Sequence, residues 1–374
     1  MQRTVNRSYA EAKARDALRD YLLSSPASLG AFLEALDVGA PWRELNKEVS
    51  IRTEVATDTG KRIDLLLTNG LAAMVLELKI DHRENPFQYA GYRRFLVRTG
   101  FVPTVIGVVR TRKRTRGREA LNAAILDQLA DRRITWAELI TRLGKVHPGR
   151  ETSGLRRSLE RIGVSLVVTA PDVPAAKITC LDITKVDSDP AHLAGFFAAF
   201  VAEVGSNFTA YPDQAGNSPP MLRFGRTSWG EWFGDGNAER IFLMVDHSRG
   251  SKAMPETEFS FGITLWDKNA CGHRSPPLPD NVREAAALLS QSGFRFERNR
   301  PGTYKAINWR DPFRVHPTGF FYANAQGDVA FKVTMCGASR RGTAATILTL
   351  ATEAQRIASI LDGLAAAPSS ALVA

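Results

Sequence analysis

Cysteine is scarce in this chain. There are three in 374 residues, Cys180, Cys271 and Cys336, all far apart. A disulfide framework or a zinc knuckle needs thiols at close, regular spacing, so both are excluded, in keeping with a reducing compartment. Long apolar runs are missing too. None reaches the roughly 20 residues that a membrane span requires. The first residues, MQRTVNRSYAEAKARD, are too polar for a secretory signal. A cytoplasmic protein with no membrane partner is therefore expected. What remains is an ordinary globular composition, 44% hydrophobic and 24% charged. The length exceeds one typical domain, so two are expected.

Acidic residues are in deficit in only one half of the chain. Residues 1–165 hold 29 Lys/Arg against 19 Asp/Glu, whereas residues 166–374 hold 20 of each. The whole net charge of +10 thus sits in the first half. A basic surface of this kind attracts phosphate backbones, with binding that weakens as salt rises. A uniform solubility device would not stop at the middle of the chain. Nucleic acid, DNA above all, is the expected partner.

The most informative stretch is Arg62 to Tyr92, RIDLLLTNGLAAMVLELKIDHRENPFQYAGY. It reads as a strand carrying Asp64, a turn at Asn69-Gly70, a second strand carrying Glu77 and Lys79, and a helix opening near Asn85-Pro86. An Asn-Gly dipeptide between two apolar runs is a hairpin signal. Residues two apart on a strand share a face, so Glu77 and Lys79 point one way while Leu76, Leu78 and Ile80 point into a core. Pairing of the two strands would bring Asp64 beside Glu77. Two carboxylates and a lysine held together suit metal-assisted phosphodiester hydrolysis. Mg²⁺ takes oxygen ligands and keeps waters, and the metal acidifies one of those waters. A neighbouring ammonium can orient it or steady the developing charge.

The order Asp64, then Glu77-Leu78-Lys79, then Gln88-Tyr89-Ala90-Gly91-Tyr92, resembles the PD-(D/E)XK nuclease superfamily, in the branch with a Q-x-x-x-Y element that includes RecB-type nucleases. Ile63 stands where the family's name has proline. The resemblance covers the first half only. It implies a restriction-endonuclease-like mixed-sheet α/β sandwich and a Mg²⁺-dependent nuclease, with Mn²⁺ as a substitute metal and a 5′-phosphate on the product. Asp64, Glu77 and the backbone carbonyl of Leu78 would hold the metal, Lys79 would position the attacking water, and Gln88 and Tyr92 would support the substrate. Many members add a Glu from a first helix. Glu11 is a candidate for that role, although Ser8 and Glu11 also form a capping-box pattern for a helix over 8–23. Glu54, on an alternating strand over 47–55, is a second candidate, and a solvated strand face explains it as well.

Elsewhere in the first half, a helix is expected over 28–36, and the helix after Pro86 should run to about Arg98 and place Gln88 and Tyr92, four apart, on one face. Arg93 and Arg94 add positive charge to that helix. Thr104–Val109 reads as a buried strand after a helical crossover. The next segment, RTRKRTRGR, has six basic residues in nine. Its Arg112, Lys113, Arg114 and Arg116 are the expected phosphate clamp, since guanidinium groups bind phosphate bidentately. Helices are expected over 119–129 and 135–143, followed by a basic amphipathic segment over 155–162.

A Pro-containing linker near 170–174 suggests domains at 1–165 and 175–374. The second has strand-like runs at 241–245, 258–266, 294–298, 303–308, 320–322 and 329–335, with helices over 191–204, 281–292 and 344–364. That is an α+β pattern with an antiparallel sheet. The cluster Arg223, Phe224, Trp229, Trp232 and Phe233 could stack bases, or could simply be core. Asp246, His247 and His273 lack metal-ligand spacing. A specificity, sensor or oligomerisation role, through a protein partner, a small ligand or a second copy of the chain, is expected for this half. By analogy alone, such two-part chains resemble restriction or anti-phage proteins. The alternative is a catalytically silent nucleic-acid-binding or scaffold protein on the same fold.

Overall fold

The computed structural model describes residues 2–42, 48–80, 84–109, 118–167, 177–186, 188–205, 207–213, 220–229, 240–247, 257–264, 280–292, 295–300, 303–306, 328–332 and 343–366. The chain forms two compact units, 1–115 with 123–177 and 116–122 with 178–374.

The first unit is built on a mixed five-stranded sheet in the order β1-β2-β3-β4-β5. The strands are β1 (Ser50–Ala56), β2 (Arg62–Thr68), β3 (Ala72–Leu78), β4 (Val102–Val109) and β5 (Arg132–Thr135). β1, β2 and β3 run antiparallel, and β3, β4 and β5 run parallel. The β2–β3 turn is held by Asn69, whose side-chain oxygen accepts from the N–H groups of Leu71 and Ala72, while Gly70 takes φ +84°. That left-handed conformation suits glycine because it has no Cβ.

Helices α1 (Gln2–Ser24), α2 (Pro26–Ala35), α5 (Trp136–Val146) and α6 (Arg150–Arg161) share one core with one face of the sheet. Leu65, Leu67, Met74, Leu76, Leu78, Ile106, Val108 and Ile134 meet Leu18, Phe32, Trp136, Leu139 and Leu155 there. The expected inward direction of Leu76, Leu78 and Ile80 follows this face. The other face carries α3 (Pro86–Arg98), and α4 (Arg118–Leu129) precedes β5. Local caps start several helices. Ser25 accepts from Ser28 N–H, Asn85 from Phe87 N–H and Thr135 from Glu138 N–H, with Pro26 and Pro86 in first turns. These side chains satisfy amides that have no partner within the helix.

Two sequence expectations change. α1 begins at Gln2, so Ser8 lies inside the helix and is no cap. The short strand β5 was not anticipated, because Arg132 and Arg133 make it look like a surface turn.

The second unit holds a seven-stranded antiparallel sheet. Its strands are β6 (Thr209–Asp213), β7 (Met221–Gly225), β8 (Ile241–His247), β9 (Thr257–Thr264), β10 (Arg295–Arg300), β11 (Thr303–Ala306) and β12 (Asp328–Lys332). The order is β11-β10-β12-β9-β8-β7-β6. Its described helices are α7 (Pro190–Val204), α8 (Asp280–Gln291) and α9 (Thr343–Ala366). β6 and β7 were not expected. Phe196, Phe200, Phe224, Phe259 and Phe261 build an aromatic core between α7 and the sheet. Phe224 and Trp229 are fully buried, and the indole N–H of Trp229 donates to Asp362 of α9. These two rings are core and are not available to stack bases. Trp232, Phe233, His273 and the expected strand at 320–322 lie outside the described residues.

No helix among the described residues is long and apolar enough to cross a membrane.

Candidate active site

The β2–β3 ladder ends here at Leu65↔Leu76, and one step further the same register sets Asp64 opposite Glu77. Asp64 uses one carboxylate oxygen to accept from Leu78 N–H at 2.8 Å, which fixes it against the end of β3. Glu77 is 1% exposed. Its Oε2 accepts from the Tyr92 hydroxyl at 2.8 Å, and its Oε1 lies 2.6 Å from Lys79 Nζ. At that distance the ammonium and the carboxylate form a close ion pair. Oε1 is a buried carboxylate oxygen whose one close partner among the described residues is that ammonium. Such an atom is costly unless something else satisfies it.

The lysine backbone is pinned from both sides. Lys79 N–H donates to Val108 O at 2.8 Å, and its carbonyl accepts from the indole of Trp136 at 3.3 Å. Core packing therefore sets where the ammonium stands. From the other face, α3 delivers Gln88 and Tyr92. Gln88 Nε2 donates to Tyr92 Oη at 2.6 Å, and that hydroxyl lies 2.7 Å from Arg62 O. Tyr92 thus ties the start of β2 to Glu77.

Charge in this pocket is far from its solution behaviour. Burial pushes Glu77 up to about 7, and neighbouring Asp64 adds to that while Lys79 and Tyr92 oppose it. Burial also raises Asp64, against the pull of Leu78 N–H and Lys79. Burial works against the charge on Lys79, yet Glu77, Glu11 and Asp64 together hold its pKa above the usual lysine range. The Tyr92 hydroxyl is raised far above a normal phenol, by burial first and then by Glu77.

The other expected residues spread outward from this centre. Glu11 Oε1 accepts from Ile80 N–H at 3.1 Å, so α1 does reach the end of β3. Glu54 is bound to Arg15 at 2.5 Å and stands 3.5 Å from Arg62. Arg93 is drawn to Asp131 at 2.7 Å and to Leu129 O at 3.3 Å, which fixes it to the turn before β5. Arg94 is half-buried and has a partner. Arg112, Lys113, Arg114 and Arg116 lie outside the described residues.

Two residues near the site were not singled out from sequence. Lys61, the residue before β2, is half-buried, and burial pushes it down to about 8 while Glu77 opposes the shift. Arg15 lies one helical turn after Glu11 and acts electrostatically on Asp64. The i, i+4 spacing from Glu11 was the one available signal for Arg15. Lys61 had none beyond its place in a turn.

A second buried cluster braces α3. Arg133 of β5, 4% exposed, forks onto Glu84 and also donates to Asp127 at 2.9 Å and to Ala123 O at 3.2 Å. Tyr89 donates to the same Glu84 at 2.5 Å. Tyr89 fits only because β4 has Gly107 beneath it, where a Cβ would collide with the hydroxyl.

The acceptors at this strand end are carboxylate oxygens, the donor type that a hard divalent ion takes. Among the described residues no group of three or more His, Cys, Asp or Glu could hold a metal. Glu77 Oε1 has open lone pairs, and Asp64 has one oxygen beyond the one used by Leu78 N–H. Two carboxylates suit an ion that keeps waters, as Mg²⁺ does, and do not suit a closed tetrahedral zinc site.

No family model, curated protein or solved structure matches this chain.

Proposed function

We propose that the first unit is a Mg²⁺-dependent nuclease acting on DNA, with Asp64 and Glu77 as metal ligands and Lys79 as the catalytic cation. One observation carries the reading. The hairpin sets Asp64 across from Glu77, and Lys79 Nζ stands 2.6 Å from the buried, otherwise open Oε1 of Glu77. A lysine and two acids at one strand end have no packing role that apolar residues would not fill better.

When bound, Mg²⁺ supplies an acidified water and neutralises charge on the phosphate. The chain's own residues do the rest. Asp64, Glu77 and the carbonyl of Leu78 would hold the ion, with Mn²⁺ accepted by the same oxygens. Lys79 would orient the attacking water and steady the developing negative charge. Tyr92, supported by Gln88, would keep Glu77 from rotating away. Glu11 would act through the Ile80 amide, holding the end of β3 in place. The basic run around Arg112–Arg116 would add sequence-independent phosphate contacts. A restriction-endonuclease-like α/β sandwich is the fold this reading implies. The second unit would set target or trigger.

The test incubates plasmid and linear DNA with the protein in Mg²⁺, Mn²⁺ or EDTA, using wild type and Lys79→Ala. Cleavage should require metal and fall at least 100-fold in the variant. No cleavage of DNA or RNA by the wild type under any metal would leave the alternative, a silent nucleic-acid-binding protein.

A further inference from the structure

Glu54 is the oddest residue near the site. It is not glycine, yet its backbone stands at φ +52°. It interrupts the β1–β2 ladder between Thr53↔Leu65 and Val55↔Ile63, which places it across from Asp64. Residues hold such backbone angles only where their surroundings impose them, and these positions collect at functional sites. Its carboxylate bridges two guanidinium groups, with Oε1 at 2.5 Å from Arg15 and Oε2 at 3.5 Å from Arg62. Arg15 is 14% exposed, Glu54 47% and Arg62 72%. The clasp therefore opens to solvent, with Arg15 as its inner wall.

Two guanidinium groups sharing the two oxygens of one carboxylate are arranged as they would be around two non-bridging oxygens of a phosphodiester. The clasp also borders the catalytic strand end. Arg62 is the residue whose carbonyl contacts Tyr92, and Arg15 acts on Asp64. An exposed ion pair of this kind is weak and exchangeable. A nucleic-acid backbone brings an equivalent anion together with counter-ion release.

We propose that Arg15 and Arg62 bind a backbone phosphate beside the scissile position, and that Glu54 is a built-in stand-in anion that holds them ready and is displaced by the substrate. The proposal rests on the nucleic-acid reading of the site and names its phosphate contacts. It also makes Glu54 a competitor of substrate rather than a further metal ligand.

The experiment measures binding of a fluorescein-labelled 20-base-pair duplex in EDTA, across a salt series, so that no cleavage is involved. Glu54→Asn removes the charge and tolerates positive φ. It should bind at least three-fold tighter than wild type. Arg15→Ala and Arg62→Ala should each bind at least three-fold weaker, with a log–log salt slope shallower by roughly one. Arg15→Lys, which keeps the charge but loses the fork, should fall between, and it serves if Arg15→Ala does not fold. The gain from Glu54→Asn should vanish in the Arg15→Ala background. A natively melting Glu54→Asn that binds no tighter, or whose gain persists without Arg15, overturns the proposal. Metal-dependent cleavage without these binding shifts would sink the clasp alone. The binding shifts without cleavage would sink the hydrolase reading alone.

Discussion

Replacing Glu77 by glutamine should stabilise the protein at neutral and alkaline pH while destroying metal dependence. Burial is the cause. Glu77 is 1% exposed, so its charged form is held in a poorly solvated place, and its pKa rises from 4.5 to about 7. The folded state then binds the proton more tightly than the unfolded chain does. For a group raised in this way, the stabilising contribution is complete below about pH 4.5 and is lost as pH climbs through about 7. A shift of that size corresponds to about 3 kcal/mol of stability lost above pH 7, taking about 1.4 kcal/mol per unit. Glutamine is neutral at every pH and escapes that loss. Asp64 and Tyr92 are present in both proteins, whereas Lys79 loses its closest counter-charge in the variant, which offsets part of the gain. At about 2–4 °C per kcal/mol for a unit of this size, the variant should melt higher at pH 8 by up to about 12 °C. The gap should close towards pH 4.

The assay is thermal denaturation from pH 4 to 8.5 in EDTA, followed by near-ultraviolet circular dichroism. Excess Mg²⁺ should then stabilise the wild type at pH 8, by about 2.7 kcal/mol at a hundredfold excess over Kd, raising its midpoint and leaving the variant unmoved. A variant no more stable than wild type at pH 8 would refute a role for burial. So would an advantage that persisted unchanged at pH 4. A stability gain with no response of the wild type to Mg²⁺ or Mn²⁺ would keep the electrostatics and discard the metal.

Other outcomes follow from the same geometry. Tyr92→Phe removes the hydroxyl that lies 2.8 Å from Glu77 Oε2 and 2.7 Å from Arg62 O, and should cost about 1–3 kcal/mol in chemical denaturation. It should also move the pH at which the Glu77-linked stability is lost further upwards. Gly107→Ala drives a methyl against the Tyr89 hydroxyl and should cost about 1–3 kcal/mol, with Tyr89→Phe in the same background recovering part of it. Trp229→Ala in the second unit should cost about 3–5 kcal/mol and leave DNA affinity unchanged, because its ring is buried. Replacing Arg112, Lys113, Arg114 and Arg116 together by alanine should weaken duplex binding and flatten its salt slope by up to about 0.9 for each phosphate no longer neutralised. An unchanged slope would remove the basic run from the interface.

What the sequence determined by itself is local. Asn69-Gly70 makes a hairpin because an Asn side chain can cap its own turn and glycine accepts positive φ. Asn85-Pro86 starts α3 at Pro86 because the cap and the ring act within one turn. Alternating or apolar runs gave β2, β3 and β4, and the spacing of Asp64, Glu77 and Lys79 then places them at one strand end by register alone. Tertiary structure decided whatever depends on residues distant along the chain. β5 exists because Arg133 can be buried against Glu84, 49 positions away, and Asp127; no local pattern announces such a strand. α1 extends well before its apparent cap, and Glu11 finds its partner at Ile80 rather than within the helix. Phe224 and Trp229 look the same in sequence whether they stack on bases or fill a core, and only the packing of α7 and α9 distinguishes the two. The elevated pKa of Glu77, the depressed one of Lys61 and the bridge from Arg15 through Glu54 to Arg62 come from burial and proximity, which are properties of the assembled fold and of no single segment.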